Sequence, residues 1–246
     1  MNAASLRVLP DATAVTTALA QTFAESAREA VAQRDAFAVA LSGGTTPKAA
    51  YRLLASEPFR SQIDWSKVCI YFGDERCVPP DDPASNYLMA YEALLGSVPI
   101  PSEHVFRMRG EAEPGIAANE YASLLRTNLG GHPILDLVLL GLGEDGHTAS
   151  LFPGSVLEPG DASLVRAVYS TSQAMWRITM TPEVINAGRS VVFAADGEAK
   201  ATALRAVLEG PRDVTRWPAQ IVQPSSGRLT WLVDEAAARG LNETTR

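Results

Sequence analysis

Short apolar runs alternate with amphipathic stretches along most of this chain. The runs that predict strands are Ala36–Leu41, Val68–Phe72, Leu135–Leu140, Ser163–Tyr169, Ser190–Ala194 and Leu229–Val233. A first helix is predicted after Asp11, because Asp is a good N-cap and apolar residues then recur at every fourth position from Val15 to Val31. Further helices are predicted at Pro47–Ala55, Asn86–Leu95, Ala112–Leu129, Glu198–Leu208 and Asp234–Arg239.

The order of these elements predicts the fold class. Strands that lack polar alternation are typical of a parallel sheet covered on both faces. We therefore expect an α/β fold: a Rossmann-like, mostly parallel sheet with helices on both faces. The 246 residues suit one large domain or two small ones. No Pro/Ser-rich linker, charge block or internal repeat divides the sequence, so we expect a single domain over residues 1–246.

The charge and the cysteine content narrow the class of protein. A formal net charge of −7 argues against a general nucleic-acid binder, although local fields still allow a small anionic ligand. No apolar run reaches the ~18 residues of a membrane helix, and the first residues lack the pattern of a signal peptide. The two cysteines, Cys69 and Cys77, provide no disulfide framework. We expect a cytoplasmic monomer that binds neither membrane nor nucleic acid.

Three predicted strands end in loops rich in glycine and polar residues: Ser42–Thr46, Gly73–Arg76 and Gly141–His147. In open α/β sheets, ligands bind beyond the carboxyl ends of the strands. If the strands are parallel, the three loops meet at one edge of the sheet. The sequence therefore predicts a ligand site at the place where these loops meet.

The first of these loops has the composition of a phosphate cradle. Ser42, Gly43, Gly44 and Thr45 precede a predicted helix, so free backbone N–H groups and the positive end of the helix dipole would face an anion. A Walker A loop is excluded, because no Gly-Lys-Ser/Thr ends the segment. The alternative is a tight turn that needs glycine only for its backbone angles. We favour the cradle.

The third loop ends on a histidine. The glycines of Gly141–His147 fit Gly-x-Gly-x-x-Gly, but Glu144 and Asp145 would face the pyrophosphate and Pro153 comes too soon for a long helix, so we reject a dinucleotide site. Histidine suits proton transfer near neutral pH, and Asp145 would orient the ring of His147. The alternative is a histidine with a purely structural hydrogen bond. A metal site is not expected, because the two other histidines are not at ligand spacing.

Three basic residues are candidates for binding an anion. Arg76 follows a strand, and its planar guanidinium suits a phosphate; the alternative is a solvated turn with an ion pair. Lys200 lies near the start of a predicted helix, where the alternative is an ordinary exposed lysine. Arg177 stands in an apolar segment, where an arginine usually requires a partner.

These motifs, taken in order, resemble the 6-phosphogluconolactonases, within the wider group that includes glucosamine-6-phosphate deaminases. The segments that carry the resemblance are Ala40–Pro47, Phe72–Arg76 with Ser85–Tyr87, Leu140–Gly154, Arg177–Thr181, Gly197–Lys200 and Trp217–Gln220. Each segment is moderately specific, and their common order makes the match strong. Two departures lie at the rim of the site: Met175 and Trp176 stand where proline is common, and Asp196 replaces an uncharged residue.

The resemblance implies hydrolysis of 6-phospho-D-glucono-1,5-lactone to 6-phosphogluconate in the oxidative pentose phosphate pathway, without metal or cofactor. It implies that His147 takes a proton from the attacking water, with Asp145 as its catalytic partner. The substrate- and phosphate-binding residues that it implies are Ser42, Gly43, Gly44, Thr45, Asp74, Arg76, Arg177 and Lys200.

Two other functions fit parts of this pattern. One is that of a glucosamine-6-phosphate deaminase, but that branch carries a glutamate after the Gly-His pair, and Thr148–Phe152 contains no carboxylate. The other is a non-catalytic sugar-phosphate sensor, but the sequence shows no segment for an output module. We therefore favour the lactonase.

Overall fold

Two sheets are present in residues 4–154 and 163–246, which a computed structural model describes. The strands in chain order are β1 (Ser5–Leu9), β2 (Phe37–Leu41), β3 (Val68–Phe72), β4 (Asp74–Arg76), β5 (Leu137–Gly141), β6 (Val165–Ser170), β7 (Met175–Met180), β8 (Ser190–Ala195) and β9 (Arg228–Asp234). The central sheet has the order β1-β9-β8-β5-β2-β3, and every neighbouring pair in it is parallel. The second sheet is antiparallel, in the order β4-β7-β6.

Helices connect the strands and cover the central sheet. They are α1 (Ala12–Arg34), α2 (Thr45–Leu54), α3 (Phe59–Gln62), α4 (Asn86–Ala93), α5 (Pro114–Leu129), α6 (Pro182–Ala187) and α7 (Ala201–Glu209). The predicted N-cap of the first helix is confirmed, because the Asp11 carboxylate accepts a hydrogen bond of 2.8 Å from the Ala14 N–H. No helix in the described ranges is long and apolar enough to cross a membrane.

The middle strands are buried on both faces. In β2, Phe37, Val39 and Leu41 pack into one hydrophobic core with α1, α2 and α4. Ala38 and Ala40 point to the opposite core, which contains α5, α6 and α7. Successive side chains of a strand face opposite sides, so one apolar run supplies both cores. The predicted α/β class, with a parallel sheet covered on both faces, is confirmed.

The second sheet was not predicted from the sequence. Ser163–Tyr169 was predicted as a strand of the parallel sheet; most of it forms β6, but β6 pairs antiparallel with β7. The segment Gly73–Arg76 was predicted as a loop, and its last three residues form β4. Strand β7 and helix α6 were also missed. A strand of three residues is too short to show a periodic pattern in the sequence. Such a strand forms only because it pairs with a distant strand.

The ends of the chain also differ from prediction. Strand β1 was missed, since none of its residues is buried and the polar Ser5 and Arg7 interrupt its apolar residues, so it shows no continuous apolar run. The predicted helix Asp234–Arg239 is wrong: Asp234 ends β9, and only a short 3₁₀ turn follows at Ala237–Gly240. The Asp234 carboxylate accepts hydrogen bonds from the N–H groups of Gly197 (3.0 Å) and Ala237 (2.7 Å), which fixes a turn in place of a helix.

Candidate active site

A cavity of about 220 Å³ lies at the carboxyl ends of β2, β5 and β8, beside the second sheet. Nine of the ten residues predicted for the site line it: Ser42, Gly43, Gly44, Thr45, Asp74, Arg76, His147, Arg177 and Lys200. The tenth, Asp145, contacts the ring of His147 instead. The three predicted segments thus meet at one edge of the parallel sheet, although residues 74–76 of the second segment form β4 and not a loop.

The loop after β2 leads into the amino end of α2. Gly44 has a φ of +111° and immediately precedes this helix, which no side chain caps. In the described part of the chain, the N–H groups of Thr45 and Thr46 donate to no acceptor. Gly43 packs so closely on Asn86 that a Cβ would lie 2.2 Å from Asn86 Oδ1. The loop therefore presents free backbone donors to the cavity, as an anion site requires.

The hydroxyl of Tyr51 holds the start of this loop. Tyr51 lies in α2 and is fully buried. Its oxygen accepts a hydrogen bond of 3.0 Å from the Ser42 N–H and donates one of 2.9 Å to the Ser42 carbonyl oxygen. Burial raises the pKa of Tyr51 above its ordinary value, so the hydroxyl keeps the proton that the second bond needs.

Replacing Tyr51 with phenylalanine should lower the free energy of unfolding by about 1–3 kcal/mol, because both backbone groups of Ser42 lose a buried partner. Urea denaturation of the two proteins measures the difference. Tyr91→Phe is the matched control: Tyr91 is 50% exposed, and its loss of a hydroxyl should change stability by less than about 0.5 kcal/mol. Equal midpoints for Tyr51→Phe and the wild type would show that the hydroxyl does not hold the loop.

Arg76 and Arg177 form a pair of like charges on the second sheet. They lie directly opposite each other in the β4–β7 register, and both line the cavity. Arg76 donates to the Ala84 carbonyl oxygen, and Arg177 donates to Gln173. The Nε atoms of both arginines are buried, with no hydrogen-bond partner in the described residues. Like charges directly opposite each other are destabilising unless an anion lies between them.

Asp74 is the buried counter-charge of Arg177. Its Oδ2 lies 3.5 Å from Arg177 Nη1 and accepts a hydrogen bond of 2.6 Å from Ser150 Oγ. The Asn86 amide donates to Oδ1 at 3.2 Å. Burial lowers the pKa of Arg177, an effect that Asp74 opposes and Arg76 reinforces. The carboxylate of Asp74 is thus engaged by three side chains, which suits orientation of Arg177 better than direct contact with an anion.

Ser150 joins the histidine loop to the second sheet. This residue is fully buried. Its hydroxyl donates to Asp74 in β4, and its N–H donates to Thr179 Oγ1 in β7 at 3.2 Å. The loop that carries His147 is therefore fixed relative to the strands that carry the two arginines.

Glu75 organises α4 from the same short strand. It is 2% exposed and accepts hydrogen bonds from the N–H groups of Asn86 (2.7 Å) and Tyr87 (2.8 Å). Burial raises the pKa of Glu75, and these hydrogen bonds only partly offset it. The alternative of a solvated turn at Gly73–Arg76 is wrong, because Asp74 and Glu75 are buried.

His147 is held by Asp145 through one ring nitrogen, and the other has no partner among the residues that the structure describes. Its Nδ1 lies 2.6 Å from Asp145 Oδ1, and its backbone N–H donates to the same oxygen at 3.1 Å. The side chain is 30% exposed, and its ring centroid lies 5.1 Å from that of Phe152. Burial opposes ionisation of Asp145, but the charge and hydrogen bonds of His147 outweigh it and lower the pKa of that carboxyl. With Nδ1 donating to Asp145, Nε2 is the proton acceptor.

The glycines of the histidine loop are explained by close packing. A Cβ on Gly143 would lie 2.1 Å from His147 Nδ1. Gly146 has a φ of +80°, and a Cβ there would lie 2.5 Å from the Trp217 ring. The Gly143 N–H donates to the His147 carbonyl oxygen at 2.8 Å, and the Gly146 N–H donates to Gly143 at 3.0 Å. These amides are used inside the turn, so the glycine pattern serves the histidine and not a pyrophosphate.

Other residues of the cavity were missed as site residues. Asn86 and Gln173 line the wall and contact Asp74 and Arg177 respectively. Asp196 also lines the cavity, although the sequence analysis noted this residue only as a departure from the family pattern. Asn86 lies in the quoted segment Ser85–Tyr87, which was the available signal. Gln173 precedes β7, and no local pattern distinguishes it.

The remaining candidate chemistry is limited. Burial, reinforced by Glu75, raises the pKa of Cys77 to about 11 although Arg177 opposes it, so this thiol stays protonated near neutral pH. In the ranges that the structure describes, no group of three or more His, Cys, Asp or Glu side chains is arranged to hold a metal ion.

A family model for glucosamine-6-phosphate isomerases/6-phosphogluconolactonase matches residues 10–231. That range includes every residue described above as lining the cavity. The chain belongs to this family. The resemblance drawn from the motifs is confirmed.

Relatives within the family are 6-phosphogluconolactonases, which are hydrolases. The enzyme of Nostoc sp. is 37% identical over 244 residues, which cover 97% of this chain and 98% of the relative. That of Haemophilus influenzae is 34% identical over 201 residues, with coverage of 82% and 86%. The solved 6-phosphogluconolactonase of Trypanosoma brucei superposes with a TM-score of 0.87 at 29% identity, covering 98% of this chain and 99% of that one.

The deaminase branch of the family has the same fold. A solved monomeric glucosamine-6-phosphate deaminase superposes with a TM-score of 0.83 at 21% identity, covering 96% of this chain and 99% of that one. At this identity the likeness shows the fold alone. The site residues, and not the fold, must therefore distinguish lactone hydrolysis from deamination.

Proposed function

We propose that this chain hydrolyses 6-phospho-D-glucono-1,5-lactone to 6-phospho-D-gluconate, with His147 as a general base and without a metal ion. The observation that carries the proposal is the cavity itself. It combines a histidine and a pair of arginines, and in the part of the chain that the structure describes the histidine Nε2 and the Nε–H groups of both arginines have no partner. A ligand with a phosphate at one end and an ester carbonyl at the other would engage both the arginines and the histidine.

The phosphate would bind between the arginine pair and the loop after β2. Arg76 and Arg177 offer planar donors, and the amino end of α2 offers the N–H groups of Thr45 and Thr46. Lys200 lines the same cavity and makes no ion pair within the described residues. Binding a phosphate that does not react would orient the lactone carbonyl relative to His147.

His147 would activate the attacking water. Nε2 takes a proton from water as its oxygen adds to the carbonyl carbon, which gives a tetrahedral oxyanion and an imidazolium. The oxyanion then collapses, the bond to the ring oxygen breaks, and the imidazolium returns its proton to that oxygen. The products are a carboxylic acid, which ionises at neutral pH, and a hydroxyl group. Asp145 stabilises the imidazolium that forms between the two steps.

The oxyanion would be stabilised by donors outside the histidine turn. The N–H groups of Gly143 and Gly146 already donate to carbonyl oxygens of that turn. The donors for the oxyanion must therefore come from the rest of the cavity wall, at the end that holds His147.

The deaminase alternative is less well supported by the residues of this site. Ser150 stands in the segment where that branch has its glutamate, and its hydroxyl is committed to Asp74. The carboxylate of Asp74 is in turn engaged by Arg177 and Asn86. No carboxylate in the Thr148–Phe152 segment is therefore available to assist ring opening of an amino sugar.

A paired assay tests the proposal. The purified protein should accelerate the decay of freshly generated 6-phosphogluconolactone, followed by proton release, and should release no ammonia from glucosamine 6-phosphate. Ammonia release with no effect on the lactone would replace the lactonase by the deaminase. Binding of the lactone's product without turnover of either substrate would identify a sugar-phosphate sensor.

We also propose that the enzyme is a cytoplasmic monomer that acts on a small phosphosugar. Cys69 and Cys77 are both free thiols, which suits a reducing compartment. Sedimentation velocity of the purified chain tests the monomer.

A further inference from the structure

Trp217 packs on the turn that carries His147, although it does not line the cavity. It begins the segment Trp217–Gln220, a motif of the sequence that the proposed mechanism does not use. Gly146 lies between Asp145 and His147 and has a φ of +80°. A Cβ on Gly146 would lie 2.5 Å from Cε3 of the Trp217 ring. The indole therefore limits the space open to the residue that joins the aspartate to the histidine.

Two backbone hydrogen bonds join the chain around Trp217 to the histidine loop. The Ala219 N–H donates to the Gly146 carbonyl oxygen at 2.9 Å, and the Gly154 N–H donates to the Thr215 carbonyl oxygen at 2.8 Å. Thr215 and Ala219 lie on either side of Trp217 in the sequence. The backbone that carries the indole is therefore held against the histidine loop both before and after the tryptophan.

The position of Trp217 is also fixed from the protein core through Gln220, which is buried. Gln220 Nε2 donates to the Ala206 carbonyl oxygen in α7 at 3.0 Å, and its Oε1 accepts from the Asp213 N–H at 2.7 Å. The Asp213 carbonyl oxygen in turn accepts from the Trp217 N–H at 2.8 Å. Lys200, which lines the cavity, immediately precedes α7. The indole and this lysine are thus attached to the same helix.

We propose that Trp217 is a positioning residue for His147. By filling the space beside Gly146, it keeps the peptide between Asp145 and His147 in the conformation that joins Nδ1 to Oδ1. A small side chain at position 217 would leave Gly146 room to rotate, since glycine adopts positive and negative φ about equally well. The hydrogen bond to Asp145 would then lose its geometry, and the ring would occupy both tautomers and more than one position. The role in catalysis rests on the proposed function, whereas the effect on the ring does not.

Trp217→Ala should lower kcat for lactone hydrolysis by about 10- to 100-fold and change KM by less than about twofold, because a base displaced by about 1 Å reacts up to about 100-fold more slowly. The residues proposed to bind the phosphate lie on other elements, which is why KM is spared. Trp217→Phe keeps an aromatic ring beside Gly146 and should recover most of the lost kcat. Initial rates corrected for spontaneous hydrolysis measure both variants.

Trp65→Phe is the matched control for a loss of stability. Trp65 is 2% exposed and lies in a short 3₁₀ turn before β3, at the amino end of a parallel strand, whereas the cavity lies at the carboxyl ends. Its indole packs near Phe23 and donates to the Arg60 carbonyl oxygen. The substitution should lower the melting temperature and leave kcat and KM unchanged. An equal loss of kcat in Trp65→Phe would show that reduced stability, and not positioning, lowers the rate.

NMR of the histidine ring nitrogens gives a readout that needs no turnover. The chain has three histidines, and the signals of His147 are those that disappear in His147→Ala. With the ring neutral, the wild type should show one tautomer, with the proton on Nδ1, and Trp217→Ala should show shifts averaged over both tautomers. Unchanged His147 signals in folded Trp217→Ala would overturn the proposal, as would wild-type kcat. A wild-type chain that fails to hydrolyse the lactone would contradict the proposed function, and the ring signals would still decide the role of Trp217.

Discussion

Replacing His147 with alanine should lower kcat for lactone hydrolysis by about 10²–10⁴-fold, with little change in KM. The imidazole lines the cavity and is placed to accept a proton from water through Nε2, since Asp145 engages Nδ1. The phosphate contacts lie on other elements, so substrate binding should survive. Initial rates corrected for spontaneous hydrolysis measure the effect.

His132→Ala is the matched control, since His132 is exposed and does not line the cavity; its kcat should equal that of the wild type. Asp145→Asn gives an independent readout. The imidazolium that forms during the reaction loses its stabilising charge, so kcat should fall while KM changes little. Wild-type kcat in His147→Ala would remove the histidine from the mechanism.

Replacing Arg76 with alanine should raise KM by about 10- to 100-fold and change kcat much less. A charge-assisted hydrogen bond to a phosphate contributes about 1.5–3 kcal/mol, and Arg76 offers a buried Nε with no other partner in the described residues. The same bond is present in the ground state and the transition state, so its loss weakens binding more than chemistry. Steady-state kinetics over a wide range of lactone concentration separate the two parameters.

Arg109→Ala controls for the loss of one positive charge. Arg109 is largely exposed and pairs with Glu120 away from the cavity, so both kinetic parameters should be unchanged. Lys200→Ala should follow Arg76→Ala in raising KM. A fall in kcat at constant KM for Arg76→Ala would place this arginine at the reacting carbonyl and not at the phosphate.

The part of the fold that could be predicted is the part with local signals. The apolar runs of β2, β3 and β5 identify buried parallel strands, and parallel strands place their following loops at one edge. That rule alone brings Ser42–Thr46 and Gly141–His147 together. The Asp145–His147 contact spans two residues of one loop, so its geometry was also accessible from the sequence.

The pairing of the two arginines could not be predicted, because it has no local signal in the sequence. Arg76 and Arg177 were recognised separately, but they lie opposite each other only because a three-residue strand pairs with a strand far along the chain. The hydrogen bond from the Ser150 hydroxyl to Asp74 likewise joins two residues that are far apart in the sequence. Tertiary pairing, and not local propensity, determines these contacts. Asp196 shows a related limit: its departure from the family is visible in the sequence, but its position beside Thr46 is not.

The two bonds of Ser150 have a consequence for the size of the substrate. They connect the loop that carries His147 to the two strands that carry the arginines, so these parts of the site are held at a fixed separation by backbone elements. If the arginines and the histidine act as proposed, a phosphorylated lactone one carbon shorter or longer would place its carbonyl about 1 Å or more from the position that Nε2 serves. Errors of that size reduce rates about 100-fold. Ser150 does not line the cavity, but its two hydrogen bonds would thus limit the length of the substrate that the enzyme accepts.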